Sequence, residues 1–215
     1  MIIAGAKGFA KEVLEIFNQL NTIDNIYFYD DINKFNNLCL YNKFKIVNNI
    51  EDAANIFNNI DKNFVLGIGN PLLRYKLTKK FEDIGGSISS IISPYARIGS
   101  FGNLIDGGAN IMTGTVITND ITLEKGVLIN LNCTIGHDSF IGRFSELCPG
   151  VHISGNCKIG EFSFIGTGSV ILPGVSVGKN VIVGAGAVVT KDIGDNSMVI
   201  GAPAKKIKDL ESIIL

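Results

Sequence analysis

Aliphatic residues recur at every sixth position through the second half of the chain. Stepping by six from Ile105 to Val189 meets fifteen consecutive aliphatic side chains. They are Ile105, Ile111, Ile117, Leu123, Ile129, Ile135, Ile141, Leu147, Ile153, Ile159, Ile165, Ile171, Val177, Val183 and Val189. The residue four places after each of the first fourteen is small or β-branched, and glycine often follows the aliphatic residue. This pattern is typical of the hexapeptide repeat of a parallel β-helix, in which three repeats form a triangular coil of about 18 residues.

The ends of the repeat place the β-helix within the chain. The step of six continues upstream through Ile92, Ile98 and Leu104. A single added residue then shifts the phase to Ile105. We expect the β-helix to start near Ser93 and to end at about Lys191, after roughly five coils. With its short C-terminal tail, this predicted all-β domain spans residues 91–215.

The first ninety residues follow a different pattern. Short apolar runs in MIIAGA, NIYFYDD and KNFVLGIGNP predict buried strands. KGFAKEVLEIFNQL, with apolar residues at helical spacing, and PLLRYKLTKKFEDIG, which ends at two glycines, predict helices. Strands that alternate with helices are typical of a parallel α/β unit with ligand sites at the carboxyl ends of its strands. The sequence therefore predicts a small Rossmann-like α/β domain over residues 1–90.

Three loops of this α/β domain should converge on one edge of its sheet. GAKGFA lies at the first strand-to-helix turn, where glycines and a helix N-terminus can hold phosphate. Asp30 and Asp31 end the next strand, where a carboxylate can accept a hydrogen bond from a ribose hydroxyl or a base N–H. GIGNP follows the third strand. Each signal alone also fits an ordinary turn, but together they predict a nucleotide site.

Composition narrows the class of protein. The formal net charge is −1, so no basic field attracts nucleic acid or an anionic membrane surface. No apolar run approaches the length of a spanning helix, and the N-terminus lacks the pattern of a signal peptide. The four cysteines form no CxxC, and with only two histidines we expect no metal site. We therefore expect a reduced, cytoplasmic protein whose Cys133 and Cys157 fill small core positions.

The GHD sequence at 136–138 is the main candidate for chemistry. His137 occupies the third position of its hexapeptide, which points out of the coil at a corner. Gly155 comes one coil later and should lie about 4.8 Å from it. A base beside a backbone N–H suits acyl transfer, and Asp138 could orient the imidazole. The alternative is a surface corner without chemistry, and His152, which has no adjacent acid, fits a surface or cleft position.

At this point the chain resembles the bacterial sugar acetyltransferases of the NeuD/PglD type. The shared motifs are GAKGFA, FYDD, IGNP, LINLNCTIGHD, IGRFS, IGTGSVILPG, VGAGAVVTKD and GAPAKKI, which span nearly the whole chain. The resemblance implies an α/β domain joined to a left-handed parallel β-helix, and a homotrimer. It also implies an enzyme of surface-glycan biosynthesis that uses acetyl-CoA, without a metal, to acetylate the amino group of a nucleotide-linked deoxysugar. A minority of the family acetylates sialic acid hydroxyls.

The resemblance also implies roles for individual residues. His137 matches the general base, and Asp138 matches the acid that supports it. Contacts to the nucleotide sugar fall on Gly5, Lys7, Gly8, Phe9, Asp30, Asp31, Ile68, Gly69, Asn70 and, near the acceptor, Asn130. Contacts to acetyl-CoA fall on Glu146, Gly155, Thr167, Ala185 and Lys205. Glu146 departs from the family, because several relatives have a second histidine at that position.

Three hypotheses follow. The first is an N-acetyltransferase in which the sugar amine attacks acetyl-CoA directly and His137 takes the proton. The second is an O-acetyltransferase for sialic acid or a related sugar. The third is a non-catalytic trimeric β-helix scaffold. Neither the nucleotide base nor the sugar follows from the sequence.

Overall fold

The computed structural model describes the whole chain, residues 1–215, and its first part is a six-stranded sheet flanked by helices. The strands are β1 (Ile2–Ala4), β2 (Tyr27–Tyr29), β3 (Cys39–Leu40), β4 (Phe44–Val47), β5 (Asn63–Leu66) and β6 (Ser87–Ile88). The helices are α1 (Gly8–Gln19), α2 (Ile50–Asn59) and α3 (Pro71–Glu82). Neighbouring strands run parallel in the order β3-β4-β2-β1-β5-β6, except for the antiparallel β3–β4 pair. The predicted α/β domain is confirmed.

The central position of β1 explains where ligands can bind. β1 pairs with β2 on one side and with β5 on the other, so the chain changes direction across the sheet at this strand. Loops that follow strands on either side of such a switch point form a crevice. The backbone N–H of Gly5 donates to the carbonyl of Tyr29 at 2.8 Å, and a Cβ at Gly5 would lie 2.6 Å from the carbonyl oxygen of Gly67. The three predicted loops therefore meet.

The segment between the second and third predicted strands holds elements that the apolar pattern did not reveal. These are the β3–β4 hairpin and α2, whose N-terminus is capped by the Asn49 side chain accepting from the N–H of Asp52 at 2.8 Å. Asn49 is one of many asparagines in this part of the chain, so this cap does not stand out in the sequence. The α2 helix covers one face of the sheet through Ala53, Ile56 and Phe57.

The second part of the chain is the predicted β-helix, made of seventeen two-residue strands. They are β7 (Ile91–Ile92), β8 (Arg97–Ile98), β9 (Leu104–Ile105), β10 (Asn110–Ile111), β11 (Val116–Ile117), β12 (Thr122–Leu123), β13 (Leu128–Ile129), β14 (Thr134–Ile135), β15 (Phe140–Ile141), β16 (Glu146–Leu147), β17 (His152–Ile153), β18 (Lys158–Ile159), β19 (Phe164–Ile165), β20 (Val170–Ile171), β21 (Ser176–Val177), β22 (Ile182–Val183) and β23 (Val188–Val189). All of them pair in parallel, and β24 (Ser197–Ile200) and β25 (Lys205–Asp209) extend one sheet at the end.

The strands stack into three faces. We call the sheet of β7, β10, β13, β16, β19, β22, β24 and β25 the seam face, because the α/β domain packs on it. The second face contains β8, β11, β14, β17, β20 and β23, and the third face contains β9, β12, β15, β18 and β21. Along the coils, partners lie 18 residues apart, as in Ile135 and Ile153. In the first coil Ile98 pairs with Ile117, an offset of 19 that absorbs the added residue.

The interior of the β-helix is a column of aliphatic side chains with a few buried hydroxyls. All but Ile105 of the fifteen aliphatic residues are buried in one cluster, and Ile105 packs against it while half-buried. Buried serines satisfy their hydroxyls on the next coil, since Ser145 donates to the carbonyl of Gly160 and Ser163 to that of Gly178, both at 2.8 Å. A buried hydroxyl is tolerated when it is hydrogen-bonded, so these positions accept serine inside an apolar column.

No helix of the chain combines the length and apolar character that crossing a bilayer requires.

Candidate active site and nucleotide pocket

His137 and Asp138 form a hydrogen-bonded pair at a corner of the β-helix. Their corner lies between β14 on the second face and β15 on the third, and we call it the His137 corner. Nδ1 of His137 lies 2.7 Å from Oδ2 of Asp138, and both side chains are more than half exposed. A carboxylate only accepts hydrogen bonds, so Nδ1 carries a proton, and in the neutral imidazole Nε2 keeps a free lone pair. The pair therefore presents a proton acceptor to solvent.

The backbone of this corner explains why an acid follows the histidine. Asp138 has φ of +57°, in the left-handed region that asparagine and aspartate adopt more readily than other non-glycine residues. The same slot in neighbouring coils holds Asp120 with φ +58°, Asn156 with φ +60° and Gly174 with φ +75°. An aspartate at position 138 thus suits the left-handed turn and also pairs with the imidazole of His137.

Gly155 lies directly against the imidazole, one coil later. A Cβ at Gly155 would lie 2.7 Å from Nε2 of His137, so any side chain there would push the ring away. The N–H of Asn156 donates to the carbonyl of His137 at 2.8 Å, which fixes the two coils in register. The N–H of Gly155 makes no hydrogen bond within the chain. The corner therefore combines an oriented proton acceptor with a free backbone donor.

A second site is a cavity of about 380 Å³ at the carboxyl edge of the α/β sheet. Four residues of the predicted nucleotide site line it: Gly5, Asp30, Asp31 and Ile68. The helix α3 contributes a stripe at helical spacing: Leu73, Lys76, Leu77 and Lys80. Ile32 is 83% exposed at this cavity, which leaves an apolar wall open to a ligand. Lys7, Gly8 and Phe9 do not line it and lie at the N-terminus of α1.

The two aspartates of the FYDD motif have different environments. Asp30 is buried, and its carboxylate accepts from the backbone N–H of Asn33 at 2.9 Å and from the Asn33 side chain at 2.9 and 3.0 Å. Both of its oxygens are thereby used to shape the loop. Asp31 also lines the cavity, but it is less buried and pairs with Lys80 at 2.5 Å. Asp31 is thus the acid that remains available to a ligand.

The Asp31–Lys80 pair is held in its charged form. Burial alone would raise the pKa of Asp31, but hydrogen bonds from Lys80 and Tyr29 outweigh it and lower that pKa. Burial likewise opposes the charge on Lys80, but its contacts with Asp31 and Tyr29 raise the pKa of the ammonium group. Sequence reasoning missed Lys80, although its spacing from Leu73, Lys76 and Leu77 on one helix face was a usable signal.

The loop 68–70 connects the cavity to the β-helix. Ile68 lines the cavity, and Asn70 caps α3 by accepting from the N–H of Leu73 at 3.0 Å. Gly69 does not line the cavity and lies against the carboxylate of Glu146 on β16. Glu146 is buried at the seam between the domains. Its expected contact with acetyl-CoA therefore stays a prediction that the isolated chain does not test.

The remaining expected site residues lie at another corner. Asn130, Thr167 and Ala185 follow strands of the seam face and precede strands of the second face, so we call this the Asn130 corner. Thr167 and Ala185 are exposed, whereas Asn130 is buried with its side-chain oxygen accepting from the N–H of Leu131 at 2.8 Å. Lys205 begins β25 and is exposed. One chain therefore does not bring these residues to His137, because the second face separates the two corners.

Comparison with known families agrees with both parts of the fold. The family of the PglD N-terminal domain matches residues 1–81. The hexapeptide repeat of succinyl-transferase matches residues 132–161, and the bacterial transferase hexapeptide matches residues 156–191.

Three solved structures are similar over almost the whole chain. The acetyltransferase domain of PglB from Neisseria gonorrhoeae, also solved with acetyl coenzyme A, is 31% identical; the match covers 96% of this chain and 98% of that one, with a TM-score of 0.85. A mutant of perosamine N-acetyltransferase from Caulobacter crescentus, in complex with CoA and GDP-perosamine, is 28% identical, with 97% and 96% covered and a TM-score of 0.87. WeeI from Acinetobacter baumannii is 27% identical, with 96% and 100% covered and a TM-score of 0.84.

Proposed function

The chain belongs to the bacterial sugar acetyltransferases of the NeuD/PglD type, which use acetyl-CoA, and from this premise we propose that it N-acetylates a nucleotide-linked amino-deoxysugar. The perosamine N-acetyltransferase, which holds CoA and GDP-perosamine, supports an amine as the acceptor. Synthesis of a surface glycan and a cytoplasmic location remain part of this proposal.

The observation that carries the proposal is the His137–Asp138 pair against Gly155. In the proposed reaction the sugar nitrogen attacks the thioester carbonyl carbon, and Nε2 of His137 accepts the proton that the nitrogen loses. The free N–H of Gly155 donates to the oxygen as negative charge develops on it. The carbon–sulfur bond then breaks, and the imidazolium returns its proton to the CoA thiolate. No covalent enzyme intermediate is required.

A homotrimer is the second part of the proposal, and the geometry of one chain supports it. The α/β domain with its cavity packs on the seam face, whereas the His137 corner is the vertex opposite that face in the triangular cross-section. A sugar held in the cavity therefore points away from the same chain's His137. A neighbouring copy could bring its His137 corner to the Asn130 corner and the cavity of the first chain. Gly155 of the His137 corner would then meet Thr167 and Ala185 of the Asn130 corner between copies.

The test is a thiol-release assay with acetyl-CoA over UDP-, dTDP- and GDP-linked 3-amino and 4-amino sugars, with the product mass measured. We expect one acetyl group to be added to a nucleotide-linked amine. Thiol release with sialic acid as the acceptor in the same assay, and none with the amino sugars, would favour the O-acetyltransferase. Nucleotide-sugar binding without thiol release on any acceptor would favour the scaffold.

A further inference from the structure

The loop beside the nucleotide cavity is tied to the β-helix by two buried polar side chains, Asn110 of the β-helix and Arg74 of α3. Asn110 on β10 donates from Nδ2 to the carbonyl of Leu66 at 2.9 Å. Arg74 of α3 is fully buried and donates to the carbonyl of Ile68 at 2.9 Å, to that of Gly126 at 2.9 and 3.1 Å and to Oδ1 of Asn110 at 3.1 Å. The loop backbone is thus bonded to the β-helix directly at Leu66 and through Arg74 at Ile68.

Glu146 belongs to the same column of the seam face and contacts the next residue of the loop. Asn110 pairs with Leu128 and Leu128 pairs with Glu146, so each lies one coil beyond the last. A Cβ at Gly69 would lie 3.0 Å from each carboxylate oxygen of Glu146. Any shift of Gly69 toward the β-helix would therefore meet the carboxylate. Glu146 sets how closely the loop approaches the coil.

Glu146 is a buried carboxylate with almost no hydrogen-bond partners. Its side chain is 6% exposed, Oε2 has no hydrogen-bond partner, and Oε1 receives only a long contact from the Cys148 thiol at 3.8 Å. Burial raises the pKa of Glu146, and the nearby Arg74 opposes that rise. Burial also lowers the pKa of Arg74 to about 9, against the attraction of Glu146. The charge of each thus acts on the pKa of the other inside the seam.

We propose that Glu146 is a positioning residue that fixes the loop 68–70, and through it the nucleotide-sugar cavity, against the catalytic β-helix. Ile68 lines the cavity, and Asn70 caps the helix that carries Lys80, so a displacement of Gly69 reaches both walls. Glu146 then acts on the nucleotide-sugar half of the reaction and not on acetyl-CoA. The inference rests on the proposed function for the identity of the ligand only.

The first test is the isosteric variant Glu146→Gln, with Glu124→Gln as the matched control on the same β-helix. Glu124 accepts from the N–H of Arg143 at 2.9 Å, a bond that glutamine retains, and its side chain makes no hydrogen bond to the loop. Glutamine keeps the volume of the side chain but removes the charge that acts on Arg74, the residue that donates to the loop carbonyl of Ile68. We therefore expect Glu146→Gln to weaken binding of UDP, dTDP or GDP, whichever the wild type binds, by roughly 3- to 30-fold in calorimetry. The affinity for acetyl-CoA should stay unchanged. Weaker acetyl-CoA binding with unchanged nucleotide binding would overturn the inference in favour of a contact with acetyl-CoA.

The second test is a double-mutant cycle with Gly69→Ala. The φ of Gly69 is outside the left-handed region, so the carboxylate of Glu146 is what crowds an alanine there. Gly69→Ala should weaken nucleotide binding in the wild type. In a Glu146→Ala background, the same substitution should reduce the nucleotide affinity little further. Gly107→Ala is the control, because a Cβ there meets nothing within 4 Å. Losses that simply multiply in the double variant would mean that the two residues do not act through each other.

A third measurement needs no ligand. Amide hydrogen exchange at 66–70 should be faster in Glu146→Gln than in the wild type, while exchange in β14 and β17 stays the same. If exchange in the loop is the same in Glu146→Gln as in the wild type, the inference is overturned, even where Glu146→Gln binds the nucleotide more weakly. Because none of these readouts is acetyl transfer, a wild type that transfers nothing would contradict the proposed function and leave this inference standing.

Discussion

At the scale of single residues, the 18-residue period predicts which side chains stack on one another. It places Gly155 one coil after His137, and the structure shows the glycine against the imidazole ring. It does not predict the difference between Asp30 and Asp31, which depends on a loop that folds back on Asn33. Nor does it predict the environment of Glu146, because its burial is due to packing of the other domain.

Asp31→Ala should weaken nucleotide-sugar binding and leave acetyl-CoA binding almost unchanged. The substitution removes a carboxylate that faces the cavity and leaves Lys80 without its partner. The loss of a charge-assisted hydrogen bond costs about 1.5 to 3 kcal/mol. Titration calorimetry with both ligands checks this, with Asp24→Ala, an exposed acid of the same domain, as the control. Equal losses for both ligands would contradict the assignment of the cavity to the nucleotide.

Asp138→Asn should lower kcat by about 10-fold or more without changing the fold, because the amide keeps the left-handed turn but loses the negative charge that orients His137 and stabilises its protonated form. Asp120→Asn is a close control, since Asp120 occupies the same slot one coil earlier with φ +58°. Steady-state rates with saturating acetyl-CoA separate the two. Equal effects of the two variants would show that the carboxylate acts on the turn and not on the imidazole.

At the scale of elements, the β-helix could be predicted nearly strand by strand because one side chain per hexapeptide must fill the same column. The α/β domain was less predictable. Its first and third strands and the helices after them showed clear periodicity, but α2 and the β3–β4 hairpin did not. Arg74 looks like part of a solvated helix face in the sequence, and only the packing of α3 on the seam face buries it.

The aliphatic column of the β-helix predicts that the two residues of β18 contribute very differently to stability. Ile159→Ala should lower the free energy of unfolding by about 2 to 5 kcal/mol, because the buried side chain leaves a cavity in the column. Lys158 in the same strand points outward from the coil. Lys158→Ala should therefore change the free energy of unfolding by about 0.5 kcal/mol or less. Denaturant unfolding of both variants checks this. Similar values for the two would contradict the inward and outward assignment.

At the scale of the whole molecule, the two sites of one chain face different directions, so activity should require neighbouring copies. Sedimentation should show a trimer. A monomer at micromolar concentration with full activity would contradict the proposed assembly and the shared site together.

Complementation between subunits gives a functional test of the shared site. Asp31→Ala chains should bind the nucleotide sugar weakly, and His137→Ala chains should lack the group that accepts the proton. Mixed trimers, made by co-expression with two tags, should recover activity, because an intact cavity of one chain meets an intact His137 of another. Mixed trimers that are no more active than the two parent variants would place both residues of a working site in the same chain.

The most direct test of the central claim is the turnover of His137→Ala on the best nucleotide-linked amino sugar. The side chain points away from the column, so the melting temperature and acetyl-CoA affinity should hardly change. Loss of a general base costs about 10² to 10⁴ in rate, and we expect that loss in kcat. His152→Ala, the other histidine of the chain, is the control and should keep near wild-type turnover. A His137→Ala variant that turns over at the wild-type rate near pH 7 would contradict the account.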